Sequence, residues 1–188
     1  MSEDKRRSAI DYYSWDHTLS DAECDFLIAD CQQAGFGDAR INANVGDSEH
    51  KTRKTNVAWV DRSKLIYRAM VNLMLEANQS FFRYNITDSE LVQFAEYKKG
   101  DHYVWHKDET WSNKEKVRKL TVMVLLSDPK WFKGGELELF NGNMGIVRPF
   151  KKRGQMVCIN CYDWHRVTPV TEGVRYSLVQ WSNGPRFV

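Results

Sequence analysis

The sequence predicts a mainly β protein with supporting helices, arranged as an antiparallel barrel or jelly roll. Two stretches with a helical repeat of apolar residues fall before Leu91, and from Leu91 onward the pattern changes to short strand-like runs. Those runs are separated by Gly, Asp, Asn or Pro turns, and no helices alternate with them, which argues against a doubly wound parallel sheet.

A chain of 188 residues is long enough to bury a core without staples and short enough for one domain. It contains no internal repeat, low-complexity tract or linker, so residues 1–188 read as one unit, with supporting helices over about 20–82 and a barrel core over about 91–182.

Residues 1–17 lead into a first strand. Ser20-Asp21-Ala22-Glu23 has the form of a capping box ahead of an apolar stripe at Cys24, Leu27, Ile28 and Cys31, and Gly35 and Gly37 end that helix. Residues 38–56 are polar and suggest a strand and a loop around Val45 to Thr52. Asn56–Val60 reads as a strand, and Asp61 is placed to cap a second helix with its stripe at Leu65, Ile66, Ala69, Met70, Leu73, Met74 and Ala77. Strands are expected at Leu91–Tyr97, Leu120–Leu126, Glu136–Phe140, Gln155–Ile159, His165–Val167 and Val174–Trp181.

Composition narrows the function classes. The chain is 42% hydrophobic and 28% charged, as expected of a soluble globular protein. Seven Trp, eight Tyr and nine Phe exceed what such a core needs, so some aromatics are expected to line a cavity. A net charge of +2 gives no footing for nucleic acid. The longest apolar run, Val122 to Leu126, is too short to span a membrane, and the polar N-terminus lacks a signal-peptide pattern, which places the chain in the cytoplasm. Four cysteines then read as reduced thiols. Cys158-x-x-Cys161 reads as buried strand residues, because no second pair completes a zinc site.

The chemistry gathers around His106-Lys107-Asp108. On a strand, residues two apart share a face, so His106 and Asp108 can present an imidazole and a carboxylate together while Lys107 points away. His165 can supply a third ligand from another strand. Two His and one carboxylate on one face leave the opposite face of an octahedral ion open, which suits non-haem Fe(II). Arg175 shares a strand face with Ser177, Val179 and Trp181. A guanidinium inside a barrel is costly unless it meets an anion, and its fork fits a carboxylate; the competing reading is an Arg exposed to solvent or paired with Glu136 or Glu138.

Taken in order, Tyr97, Tyr103-x-x-His106-x-Asp108, Arg118-x-x-Thr121 leading into Leu125-Leu126-Ser127-Asp128, Gly134-Gly135-Glu136-Leu137 with Phe140, His165-x-Val-x-Pro-Val and Gly173-x-Arg175 carry a family resemblance. From about Leu91 to Trp181 the chain resembles the Fe(II)- and 2-oxoglutarate-dependent dioxygenases, and among them the prolyl 4-hydroxylase branch. The resemblance implies a double-stranded β-helix. It implies iron ligation by His106, Asp108 and His165, with 2-oxoglutarate held by Arg175, Thr121, Tyr97 and Ser177. Leu125 stands where some relatives have a cosubstrate-binding Tyr.

It further implies O2 as cosubstrate, ascorbate as an auxiliary cofactor, and a proline-containing peptide or protein as substrate, met by Arg118, Trp181 and Tyr103. Trp105 and Trp111 are candidates for an apolar wall beside that substrate, and the loops Val45 to Thr52 and Glu109 to Val117 for lids. The alternatives are a hydroxylase of a free amino acid or small metabolite and a non-catalytic metal-binding barrel. Nucleic-acid demethylation is disfavoured, because Trp181 stands where that branch carries a second Arg. The sequence assigns no oligomeric state.

Overall fold

The computed structural model describes residues 12–15, 18–38, 52–109, 115–140 and 145–186. The first segments in chain order are β1 (Tyr13–Trp15), α1 (Asp21–Gln33), β2 (Gly37–Asp38), β3 (Arg53–Lys54), β4 (Asn56–Val60) and α2 (Leu65–Ala77), the last extended by one π-helical turn, Asn78–Phe82. Then come β5 (Asp88–Ser89), β6 (Val92–Tyr97), β7 (His102–His106), β8 (Lys116–Leu125), β9 (Phe132–Gly134), β10 (Leu137–Phe140) and β11 (Ile146–Val147). The chain closes with β12 (Met156–Asn160), β13 (His165–Val167), β14 (Val170–Gly173) and β15 (Arg175–Pro185).

The strands form two facing antiparallel sheets, the double-stranded β-helix. The major sheet runs β1-β12-β8-β15-β6-β4-β2, with β5 also paired to β15; the minor sheet runs β11-β10-β13-β7-β3, and β14 and β9 pair separately. Strand alternation sorts the side chains of the major sheet. Leu120, Val122, Val124, Phe94 and Leu178 face the helices and join Cys24, Leu27, Cys31, Met70, Met74 and Ala77 in the main core. Fully burying side chains of this size contributes about 1.5–3 kcal/mol each. The opposite parity, including Gln93, Tyr97, Met123, Arg175, Ser177, Val179 and Trp181, faces the space between the sheets.

The helix starts differ from each other. At α1 the capping box is complete: the Glu23 amide donates to Ser20 Oγ at 3.3 Å, and the Ser20 amide donates to Glu23 Oε2 at 2.8 Å. At α2 the expected Asp61 cap is absent. Asp61 Oδ1 accepts from the Ser63 amide at 2.8 Å, which closes a turn before the helix, and the N-cap is Lys64, whose Nζ reaches Asp30 of α1 instead. All four cysteines are free and buried. No helix among the described residues is long and apolar enough to cross a membrane.

One irregularity positions the site. Along β13 the step from His165 to Val167 is two residues, while its partners on β7, His106 and Tyr103, are three apart. This β-bulge turns both Tyr103 and His106 inward, their rings stacked with centroids 3.4 Å apart, and sends Val104 and Trp105 outward.

Candidate active site

A cavity of about 280 Å³ lies between the sheets. At one end the bulge delivers His106, and the main chain past β7 delivers Asp108, whose amide donates to the Cys161 carbonyl at 3.0 Å. β13, paired to β7, brings in His165. The three residues offer ligand atoms that all lie within 4.8 Å of one another. Asp108 Oδ1 is 3.6 Å from His106 Nε2, and Oδ2 is 3.3 Å from His165 Nε2. Each imidazole is held from behind: His106 Nδ1 is 2.7 Å from the Val104 carbonyl, and His165 Nδ1 is 2.9 Å from the Asp163 carbonyl. With Nδ1–H donating to those carbonyls, each Nε2 presents its lone pair to the shared centre, the arrangement of a metal-ligating histidine.

The electrostatics agree with a cation site. Burial and the neighbouring His165 push the His106 imidazole down to about 3, so it stays neutral. Burial alone would raise the Asp108 carboxyl, but the charge and hydrogen bond of His165, followed by His106, outweigh it and hold Asp108 well below the usual carboxylate range. His165 moves the other way: burial disfavours its charge, and the Asp108 carboxylate more than restores it. Two imidazoles and one carboxylate on one side of an open space are the donor set of a non-haem Fe(II) centre.

Deeper in the cavity, Arg175 is 3% exposed. Its Nη1 donates to Ser177 Oγ at 2.8 Å, and its guanidinium lies 5.4 Å from the ring centre of Tyr97, its partner in the β15–β6 register. No carboxylate among the described residues forms an ion pair with it. The candidate acids are engaged elsewhere: Glu138 takes Arg148 and Arg166, and Glu136 accepts from Thr168. Burial draws the Arg175 guanidinium below its ordinary value. A buried guanidinium fork with no ion-pair partner among the described residues has the geometry and charge to take a carboxylate.

The wall between metal site and rim is aromatic and cationic. Arg118 is gripped by Glu90 through two contacts of 2.6 Å and lies over Trp181 at 4.1 Å from the ring centre. Arg53 donates to Gln93 at 2.6 Å and stands over the Tyr103 ring at 4.9 Å. Trp59, half exposed, completes the rim.

Similarity to known proteins decides the family. Residues 92–183 match the model of the 2OG-Fe(II) oxygenase superfamily. Over those residues the chain is a 2OG-Fe(II) oxygenase of that superfamily. Over 162 residues it is 29% identical to a PKHD-type hydroxylase, YbiX, of Escherichia coli, covering 80% of this chain and 68% of that protein. Among solved structures it resembles a Pseudomonas putida prolyl-4-hydroxylase, with a TM-score of 0.74 and 21% identity over 95% of this chain and 94% of that one. The viral collagen prolyl hydroxylase of Paramecium bursaria Chlorella virus-1, in its 2OG complex, gives 0.71 and 24% over 93% and 96% of the two chains. A Trichoplax adhaerens prolyl hydroxylase bound to a hypoxia-inducible-factor peptide fragment gives 0.75 and 21% over 92% and 83%. The oxygenase fold is therefore prolyl 4-hydroxylase-like, and iron, 2-oxoglutarate and O2 are the cofactors of the family.

Nine of the ten residues singled out from sequence, His106, Asp108, His165, Arg175, Tyr97, Ser177, Arg118, Trp181 and Tyr103, line this one cavity. Thr121 stands behind it, fully buried, with its hydroxyl on Asp108 Oδ2 at 2.7 Å. Trp105 is not a wall of the cavity: next to the inward His106, it is left on the outside of the minor sheet, against Phe140 and under Arg166. Trp111 and most of both candidate lids, 45–51 and 110–114, lie outside the described residues. Sequence reasoning missed Arg53, Gln93 and Trp59. Gln93 carried a signal, as a polar residue sharing the inward parity of Ala95 and Tyr97; Arg53 was masked by the basic run around it.

Proposed function

We propose that this 2OG-Fe(II) oxygenase hydroxylates proline within a peptide or protein, converting 2-oxoglutarate to succinate and CO2. The observation that carries the substrate class is the Arg118–Trp181 stack. Clamped by Glu90, it forms a flat, rigid wall inside the metal cavity, and a small saturated ring can lie against such a wall with little loss of polar hydration. The likeness in fold to several prolyl hydroxylases, one of them bound to a peptide, supports the same reading.

In this reading His106, Asp108 and His165 hold iron, and Arg175 takes the distal carboxylate of 2-oxoglutarate, flanked by Ser177 and Tyr97. When bound, iron and 2-oxoglutarate supply the oxidising chemistry, the two atoms of O2 ending in succinate and in the product hydroxyl. The chain itself binds, orients and excludes water. The apolar lining of Met123, Leu137, Val167 and Val179 keeps the space around the cosubstrate dry, which strengthens the Arg175–carboxylate attraction. Tyr103, stacked on His106, and Arg118 with Trp181 set where the substrate C–H can lie.

The test is mass spectrometry of proline-rich peptides incubated with enzyme, Fe(II), 2-oxoglutarate and O2. A gain of one oxygen on proline, with one succinate per event, is expected. Succinate formed without any peptide oxidation, alongside hydroxylation of a free amino acid, would overturn the substrate class while leaving the oxygenase chemistry in place.

A further inference from the structure

Asp108 is gripped from two directions by one residue that the oxygenase chemistry does not otherwise use. The Cys161 carbonyl accepts from the amides of both Asp108 and Glu109, at 3.0 and 3.1 Å, which fixes the main chain at the point where it leaves β7. The Cys161 thiol lies 3.2 Å from Thr121 Oγ1, and Thr121 donates to Asp108 Oδ2 at 2.7 Å. The direction of this chain follows from proton inventory. A carboxylate only accepts, and a hydroxyl has one proton, so the Thr121 proton goes to Asp108. The short contact to sulfur must then be S–H donating to Thr121 Oγ1. Cys161 is in turn tied to β8, its amide donating to the Lys119 carbonyl at 3.0 Å, so the whole chain is anchored on the core strand that carries Thr121.

We propose that Thr121 and Cys161 are positioning residues for Asp108 that hold its carboxylate to ligation through a single oxygen. This rests on the reading of His106, Asp108 and His165 as metal ligands. The Thr121 hydrogen bond occupies one lone pair of Oδ2 and fixes the rotation of the carboxylate, which favours Oδ1 as the oxygen that ligates the metal. A carboxylate free to rotate could present both oxygens, and the second would occupy a position that the bidentate cosubstrate and O2 require. Thr121 therefore serves the metal site through Asp108, not the cosubstrate through a cavity contact, consistent with its absence from the cavity wall.

The experiment titrates Co(II), a spectroscopic stand-in for iron, into metal-free wild type, Thr121→Val, Thr121→Ser, Cys161→Ala and the Thr121→Val/Cys161→Ala pair. Thermal unfolding of each metal-free protein serves as a folding control. Losing an outer-shell partner of a ligand costs about 10–100-fold in metal affinity, which is expected for Thr121→Val, with Thr121→Ser restoring it. Cys161→Ala should weaken binding by about three- to tenfold, since a thiol is a weak donor, and should have no further effect once Thr121 is Val. The visible Co(II) bands should change shape in Thr121→Val, reporting altered coordination that a loss of fold stability alone would not produce. Unchanged affinity and bands in Thr121→Val, or a Cys161→Ala effect of full size in the Thr121→Val background, would overturn the proposal. Failure of the wild type to bind Co(II) would instead overturn the ligand assignment on which it rests.

Discussion

Replacing Arg175 by Met should move stability and cosubstrate affinity in opposite directions. Arg175 is 3% exposed, and among the described residues its hydrogen-bond partner is Ser177. A buried cation without a counter-ion is destabilising, and exchanging buried charge for apolar volume is commonly neutral or stabilising by about 1–4 kcal/mol. Ser177 loses its donor in the exchange, which returns roughly 1 kcal/mol. The net is a gain of about 0–3 kcal/mol, and at roughly 2–4 °C per kcal/mol for a chain of this size the metal-free protein should melt level with wild type or several degrees higher. Binding should respond the other way. Two charge-assisted hydrogen bonds at roughly 1.5–2 kcal/mol each predict a loss of about 3–4 kcal/mol, or a factor of about 100–1,000 in 2-oxoglutarate affinity. The assays are differential scanning calorimetry of the metal-free proteins and anaerobic 2-oxoglutarate titration of their metal complexes. A variant that melts well below wild type yet binds 2-oxoglutarate equally would refute the assignment of Arg175 as a receptor held open at a cost to stability.

Gly135 has φ +65°, and an added Cβ would stand 2.9 Å from Val170 Cγ2 and 3.1 Å from Arg175 Cδ. Gly135→Ala should therefore weaken 2-oxoglutarate binding by displacing the Arg175 stem while metal affinity stays within about twofold, readable by paired titrations. Lys107 lies 5.4 Å from the Trp164 ring, away from the cavity, so Lys107→Ala should leave Co(II) affinity unchanged; a tenfold loss would show that the strand parity is wrong. Glu96 and Glu138 are both held below the ordinary value of 4.5, burial being outweighed by Lys98 and Asn56 at one and by Arg166 and Arg148 at the other. A depressed carboxyl adds stability that is complete above its unfolded value and lost as pH falls through its folded value, so the melting-temperature gap between wild type and a Glu138→Gln variant should be constant from pH 7 to about 5 and shrink along the acid limb below about 4.5. Glu138→Gln should lower stability at pH 7 by roughly 1–3 kcal/mol and shallow that acid limb; an unchanged acid limb would exclude Glu138 as a contributor.

Much of the site was legible because it is written in strand parity. Arg175, Ser177, Val179 and Trp181 alternate in sequence and share one wall in space, and His106, Asp108 and His165 converge because β7, the main chain just past it and the neighbouring β13 carry them. The α1 capping box was legible for the same reason: it is a local pattern with a local partner. What escaped depends on departures from regularity or on partners distant in sequence. One extra residue in β7 lets Tyr103 and His106, three apart, both face inward, which simple alternation could not foresee; Trp105, next to the inward His106, is left outside. Thr121 has the right type and spacing for a cosubstrate contact, and its hydrogen bond to Asp108 Oδ2, thirteen residues away, is visible only in the fold. Asp61 had a cap residue's chemistry, but a turn through Ser63 consumed its carboxylate before the helix began. Arg53 lies in a two-residue strand inside a basic run, too short to display any period.

The most direct measurement is the visible spectrum of the protein mixed anaerobically with Fe(II) and 2-oxoglutarate. A weak metal-to-ligand charge-transfer band should appear in wild type, vanish in His106→Ala, and require far more 2-oxoglutarate in Arg175→Met. Wild type that shows no band at saturating Fe(II) and 2-oxoglutarate would contradict the assignment of this cavity as the oxygenase centre.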